Sequence, residues 1–410
     1  MKSNSFSRRG LLKMGAATLA VSRLGAADET PQSTTDEVSI ANSRPLFQEV
    51  DRALEPTDPA ASSGPYAYIG CYTGGSNARG ISVLHYDPVT NEMTLVGIVA
   101  PVSSPSFIVL GATKRFLYSG NESGAGSASA FSVNPGNGAL RFLNSVGAGG
   151  QPAHVAIHPG GKYLLTANYT GGTVAAFAIQ ADGSLGSNPQ IISHFGNLGP
   201  NAGRQEAPHP HMMLPDSTGK YVLVNDLGLD TTFVYAFDDA AGRLTEVNRV
   251  SAAPGSGPRH LAWHPNGAIV YSINELANTL NTYRWLGNGS LVPLQENLST
   301  LPAGFKGTSG AGEVLVDAAG KYLYASNRGN DNILICSIDP ATSQLTVMGW
   351  VHTQGRTPRH FNFDPTGNFI HVGNQDSANI VTFKVDKGTG SLTPAGLYTS
   401  TPAPACIQFA

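Results

Sequence analysis

A segment that opens on proline returns along this chain every 46 to 56 residues, at Pro105, Pro152, Pro208, Pro258, Pro358 and Pro404, with Ala311 in the one slot that lacks it. After each of the first six comes an apolar run, a turn, and a second run starting at Phe116, Tyr163, Tyr221, Ile269, Tyr322 or Phe369. A third run follows, and Gly-x-Leu or a close variant starts a fourth. Four strands in a unit of this length read as a propeller blade rather than a helical repeat. The clearest copy of the opening hairpin spans 257–276, GPRHLAWHPNGAIVYSINEL, where Asn-Gly between apolar runs predicts a tight two-residue turn. Its strands are antiparallel, so Arg259 and His260 at one end meet Asn274 and Glu275 at the other.

Counting second strands gives seven, the first at 66–71, which has no first strand before it; an orphan first strand lies at 404–409. The economical solution is a ring of seven blades, each of four antiparallel strands, with the C-terminal strand completing the N-terminal blade so that no sheet edge stays open. Composition agrees with an all-β chain. There are 48 glycines and 27 prolines, only 13% of residues are charged against a typical figure of about 25%, and no sustained helical period follows the N-terminus. A net charge of -3 without a basic block gives no electrostatic support for a nucleic-acid partner.

The first 64 residues stand apart. Ser7-Arg8-Arg9-Gly10-Leu11-Leu12-Lys13, an apolar run at 14–21 and small residues at Gly25-Ala26-Ala27 read as a twin-arginine export signal over 1–27. It is too short to span a bilayer stably, so it implies a periplasmic or secreted protein with no membrane attachment after removal. Residues 28–64, rich in Pro, Thr, Ser, Asp and Glu, read as a tether with at most a short helix at 44–54. The propeller occupies 65–410.

Aligning the units maps the central channel. The innermost slot holds Phe107, His154, His211, His260, Glu313, His360 and Cys406, taking the second histidine of Pro208-His209-Pro210-His211 for blade four, with Arg259 and Arg359 one residue earlier. Imidazoles, a carboxylate and guanidiniums gathered at one mouth shift one another's pKa values, which points to a functional site. The second strands end on Cys71, Asn121, Asn168, Asp226, Asn274, Asn327 and Asn374, read as structural because Asn and Asp bond nearby backbone at strand ends. The next position holds Tyr72, Glu122, Tyr169, Leu227, Glu275, Arg328 and Gln375, and the longest connection between blades delivers Arg204, Glu206 and His209 to the same rim.

The motifs RQEAPHPH from Arg204, NDLGLD from Asn225, GPRHLAWHPNG, INEL from Ile273, GEVLVDAAGKYLYASNRG from Gly312 and TPRHFNFDPTG from Thr357 resemble the seven-bladed lactonase family. That family includes the propeller-type bacterial 6-phosphogluconolactonases and the fungal carboxymuconate lactonising enzyme. The resemblance covers about 65–410. It implies a lactone site in the mouth with no metal or other cofactor, and carries His154, Arg204, His211, Arg259, His260, Glu275, Glu313, Arg328 and Arg359 as acting residues.

The expected activity is hydrolysis of a sugar lactone, 6-phosphogluconolactonase-like, in carbohydrate metabolism, by a monomer acting on a small-molecule lactone or carboxylate. Glu313 or His260 is expected to activate water, Arg259 with Arg204 to bind the oxyanion, and His211 to return a proton to the ring oxygen; Glu206, His209, Arg359 and His360 are expected to bind substrate. An exported protein does not meet a cytoplasmic sugar phosphate, which separates this chain from the enzymes it resembles. A metal site built from His and Glu313, a non-catalytic module and a cycloisomerase on an unsaturated dicarboxylic acid are the alternatives. Cys71 and Cys406, on neighbouring strands of the closing blade in an oxidising compartment, are a candidate disulfide, with two buried free thiols as the alternative because cross-strand geometry is demanding.

Overall fold

In the computed structural model, residues 65–74, 79–99 and 101–410 are described. The export signal, the tether and the helix expected at 44–54 lie outside them. Among the described residues there are seven sheets, each of four antiparallel strands. Blade two runs through Pro105–Leu110, Phe116–Asn121, Ser127–Val133 and Leu140–Gly147, and the other blades repeat this order from axis to rim. Each innermost strand contacts the innermost strands of both neighbours, which closes the ring. At the seam, Pro404–Phe409 pairs with Tyr66–Cys71, with Ala67 opposite Phe409 and Ile69 opposite Ile407, so the two ends of the propeller share blade one as the count of strands requires.

The core is a set of apolar layers between blades, because each sheet is apolar on both faces and covers itself with its neighbour. Between blades five and six the layer contains Tyr271, Ile273, Leu323, Leu334 and Cys336, and between three and four it contains Leu165, Val222, Phe233 and Tyr235. Cys336 is a buried free thiol that packs as a small apolar group.

Three expectations need correction. The hairpin turn at 264–268 is a five-residue loop, and Gly267 alone takes a positive φ, of 68°. Asn266 stays out of that region because His264 Nδ1 accepts its N–H at 3.1 Å while its own Oδ1 accepts the Ala268 N–H at 2.9 Å. The second correction concerns blade four, whose inner strand opens at Pro210, opposite Asp226, just as Pro258 stands opposite Asn274. The innermost slot therefore holds Met212, whose Sδ accepts the Leu261 N–H at 3.0 Å, and His211 takes the position of Arg259 and Arg359. The third is the disulfide. Cys71 and Cys406 are free thiols: Cys406 stands opposite Gly70 and packs with Tyr66 and Tyr68, whereas Cys71 packs with Ala67 and Ile69. Side chains alternate between faces along a strand, so the two sulfurs lie on opposite faces of the sheet.

The inner strands share one device that builds the mouth. In blades one, two, three, four, five and seven the register shifts between the opening proline and the residue two later. Such a bulge places two residues against one and re-aims the side chains. In blade seven Arg359 of the pair lines the mouth cavity while His360 joins the axial residues, and in blade four His211 lines the mouth. At the opposite corner, the strand-end Asn residues are buried struts: Asn168 Nδ2 donates to Ala148 O at 2.6 Å and Asn327 Nδ2 to Thr300 O at 2.8 Å.

Candidate active site

The channel residues form two tiers. In the axial tier the Phe107 ring plugs the channel, its centroid 4.2 Å from that of His154, 5.6 Å from His360 and 6.0 Å from His260. His260 Nδ1 lies 2.9 Å from Glu313 Oε1, and His360 Nε2 lies 3.5 Å from Glu313 Oε2. Glu313 Oε1 also accepts the Val314 N–H at 3.0 Å. Burial drives the pKa of His154 and His260 well below the usual histidine range, and that of His360 down to about 4, so these imidazoles are neutral at physiological pH.

Above this tier lies a cavity of about 280 Å³. One wall is built on Glu275, whose carboxylate meets three guanidiniums: Arg204 Nη2 at 2.6 Å, Arg328 Nη2 at 2.7 Å and Arg259 Nε at 3.2 Å. Burial alone would raise its pKa, but Arg328, Arg259 and Arg204 outweigh it and hold the carboxyl well below the usual carboxylate range. Arg259, 2% exposed, reaches from beneath and donates through Nη1 to Gly312 O at 2.7 Å. Its burial, with Arg328 and Arg359 nearby, lowers the guanidinium to about 9, which leaves it cationic at neutral pH.

A second wall joins Arg359 Nη2, the Tyr72 hydroxyl and the Glu122 carboxylate in one hydrogen-bonded run, with Arg359 lying 4.8 Å over the Tyr72 ring. On the third wall Tyr169 stacks on His209, ring centroids 4.2 Å apart and 8° from parallel, and its hydroxyl accepts from Arg204 Nη2 at 3.3 Å. His211 stands beside it, edge-on to Tyr169 at 5.6 Å and to His260 at 5.0 Å. Burial first, then Arg259, His260, Arg359 and Arg328, push its pKa well below the usual range. Its Nδ1 is enclosed without a hydrogen-bond partner, which leaves Nε2 as the nitrogen a ligand can meet.

The loop that brings Arg204 is fixed from behind. His194 and Asp226 form a fully buried pair at 2.8 Å, Asp226 Oδ1 accepts the His209 N–H at 2.8 Å, and Gln205 Nε2 donates to Leu227 O at 2.9 Å and Asp230 Oδ1 at 2.8 Å. Asp230 in turn accepts the Gly257 N–H at 2.7 Å, so the Arg204 loop and the strand that carries Arg259 hang on one carboxylate.

Of the residues singled out in the sequence, Arg204, His211, Glu275, Arg328 and Arg359 line the cavity, and Arg259 lies directly under Glu275. His154, His260, Glu313 and His360 lie in the axial tier and are not part of the wall. Glu206 braces His209 Nε2 at 3.1 Å from the outside, so both support Tyr169 rather than line the cavity. Glu122 and Tyr169 also line the cavity and Tyr72 backs Arg359, three residues that the sequence places in this series without giving them a role. Each occupies the slot after the strand-end residue, the slot that also holds Glu275. In each, the backbone N–H bonds the carbonyl before the opening of the neighbouring strand, Glu122 to Ser104 at 2.9 Å, Tyr169 to Gln151 at 2.8 Å and Glu275 to Gly257 at 2.7 Å. Among the described residues no three His, Cys, Asp or Glu side chains stand together so as to hold a metal ion.

The neutral imidazoles set an acid limit on stability. Burial lowers His360 and His371 to about 4, against about 6.5 in an unfolded chain. Between those values the unfolded state binds more protons, so the contribution is complete above about pH 6.5 and is lost as pH falls through about 4. For His360 it is on the order of 3 kcal/mol. Denaturant midpoints at pH 7.5 and pH 4.5 check this: a clear fall at the lower pH is expected, and equal midpoints contradict it.

The family of seven-bladed β-propeller lactonases matches residues 66–409. A 6-phosphogluconolactonase of Bacillus subtilis is 33% identical over 301 residues, covering 73% of this chain and 85% of the relative. A 6-phosphogluconolactonase of Formosa agariphila is 32% identical over 308 residues, covering 73% and 86%. The solved structure of PpgL, a periplasmic gluconolactonase of Pseudomonas aeruginosa, superposes with a TM-score of 0.79 at 31% identity, over 84% of this chain and 99% of that one.

Proposed function

Because this chain belongs to the seven-bladed β-propeller lactonase family, we propose that its mouth cavity opens a sugar lactone to the hydroxy acid by adding water. The observation that carries this reading is His211, a neutral imidazole on the wall of a cavity rimmed by guanidiniums. Relatives named as lactone hydrolases favour ring opening over the cycloisomerase and binding-module alternatives.

In the mechanism, water attacks the lactone carbonyl carbon while His211 Nε2 takes its proton. The charge that develops on the carbonyl oxygen is stabilised by Arg359, with Arg328 and Arg204 adding to the field. The bond from the carbonyl carbon to the ring oxygen then breaks, and His211 gives its proton to that oxygen. The product carboxyl ionises at neutral pH. Glu275, pinned by three arginines, is too weak a base to take a proton; its part is to orient Arg204, Arg259 and Arg328. Glu122 and the Tyr169 hydroxyl are placed to bond sugar hydroxyls. His260 and Glu313 support the floor.

Residues 7–13 and 14–21 carry the twin-arginine pattern, so the proposed setting is outside the cytoplasm, with a free sugar lactone as substrate. Among the described residues no helix is long and apolar enough to cross a membrane. Acid release from D-glucono-δ-lactone at constant pH tests the reading. A saturable rate above spontaneous opening is expected, and Arg359→Ala should reduce it about 100-fold, as loss of one oxyanion donor does. A variant within a few-fold of wild type removes Arg359 from that role.

A further inference from the structure

Beyond the Arg204–Glu275–Arg328 wall lies a second, larger cavity of about 470 Å³, which shares those three residues with the mouth cavity. Its remaining lining changes character. Asn201, Thr308, Ser309 and Thr357 supply amide and hydroxyl groups, Gly310 and Gly329 leave backbone bare, and Leu276 adds an apolar side chain. The Ser309 Oγ is enclosed without a hydrogen-bond partner. Resting on the lactone-hydrolase reading, we propose that this trough is a glycosyl subsite, so that the preferred substrate is the lactone of a disaccharide acid, its lactone ring in the mouth and its sugar ring in the trough.

The charge pattern selects a neutral ligand. Arg204 and Arg328 are bound to Glu275 at 2.6 and 2.7 Å, and Arg328 also donates to Gly310 O and Ala311 O. Among the described residues no further cation lines the trough, whereas a phosphate calls for uncommitted donors. Hydroxyl and amide side chains with bare peptide groups match the many hydroxyls of a sugar. Size agrees: ligand sites commonly run from about 300 Å³ upward, so a mouth of about 280 Å³ suits a small ring and leaves a trough of about 470 Å³ for a second.

The trough is also held in shape. Gly329 has φ of 102°, and a Cβ there would stand 2.3 Å from Thr308 O, so only glycine fits. Thr357 adopts φ of 59°, unusual for a β-branched residue. It is held there by its N–H to Asp331 Oδ1 at 2.8 Å and its hydroxyl to Asp376 Oδ2 at 2.5 Å. Such strain persists where surrounding structure fixes it, commonly at ligand sites.

The test compares kcat/KM of the full chain for D-glucono-δ-lactone, the δ-lactones of cellobionic and maltobionic acid, and 6-phosphogluconolactone. The expected result is at least a tenfold advantage for a disaccharide lactone, expressed mainly in KM. In Thr308→Trp, which puts bulk into the trough from an exposed position, the ratio of disaccharide to monosaccharide lactone should fall to near one. Equal rates on one and two rings overturn the proposal, as does a preference for the phosphorylated lactone or an advantage that survives Thr308→Trp. Turnover of glucono-δ-lactone alone leaves the hydrolase reading standing without the subsite, whereas failure to open any lactone removes both.

Discussion

Replacing His211 by Asn lowers kcat for lactone opening by about 100- to 10,000-fold, the range that a general base supplies, and leaves KM within a few-fold. Among the described residues that line the cavity, the His211 imidazole is the histidine, neutral at physiological pH and enclosed at its other nitrogen. The pH profile gives a readout that a merely structural histidine would not move. Burial and the neighbouring Arg259 lower the His211 pKa, so the base form persists as pH falls past about 6.5, the ordinary histidine value. Wild-type kcat is therefore flat from pH 8 to below 6.5 and falls only in more acid solution, and the variant loses that limb. A limb centred at 6.5 or above, or a variant with near wild-type kcat, contradicts the assignment.

Glu275→Gln is expected to have the largest combined effect. The carboxylate is the shared counter-charge for Arg204, Arg259 and Arg328, and both it and Arg259 are nearly fully buried. Removing one partner of a buried ionic cluster leaves charge uncompensated, at a cost of about 3–5 kcal/mol. Glutamine keeps the shape but not the charge, so the three guanidiniums repel one another and the wall behind the developing oxyanion loses its geometry. Stability measured by denaturant should fall by that amount, and kcat/KM of the folded fraction by about 100-fold or more. The wild-type pair resists acid: with the carboxyl held below its usual range, its contribution is complete above about pH 4.3 and is lost only as pH falls through the lowered value. A Glu275→Gln protein as stable and as active as wild type would show the cluster to be ornamental.

The repeat made the ring legible because blade spacing, strand number and the orphan ends are one-dimensional properties. Depth was not legible. A bulge decides which of two adjacent residues faces the axis and which the mouth, so Arg259 and His260 read alike in sequence yet belong to different tiers. Pro208-His209-Pro210-His211 offers two prolines as the start of blade four, and pairing of Pro210 with Asp226, a long-range fact, chooses between them. Tyr72, Glu122 and Tyr169 are legible in the same slot as Glu275 and Arg328, yet the sequence assigns them no role because that slot is constant in place but not in residue type. The choice between a disulfide and two free thiols has the same root: nearness in register does not fix the face, and Cys71 and Cys406 differ by one step of alternation.

The most direct test of the central claim is a ¹³C NMR time course of D-glucono-δ-lactone labelled at the carbonyl carbon, near pH 6. Wild-type protein, His211→Asn and buffer alone are followed side by side. The lactone signal is expected to pass to the carboxylate signal far faster with wild-type protein than in buffer, and His211→Asn to remove most of that difference. Identical curves for wild-type protein and buffer, with the protein folded, would contradict it.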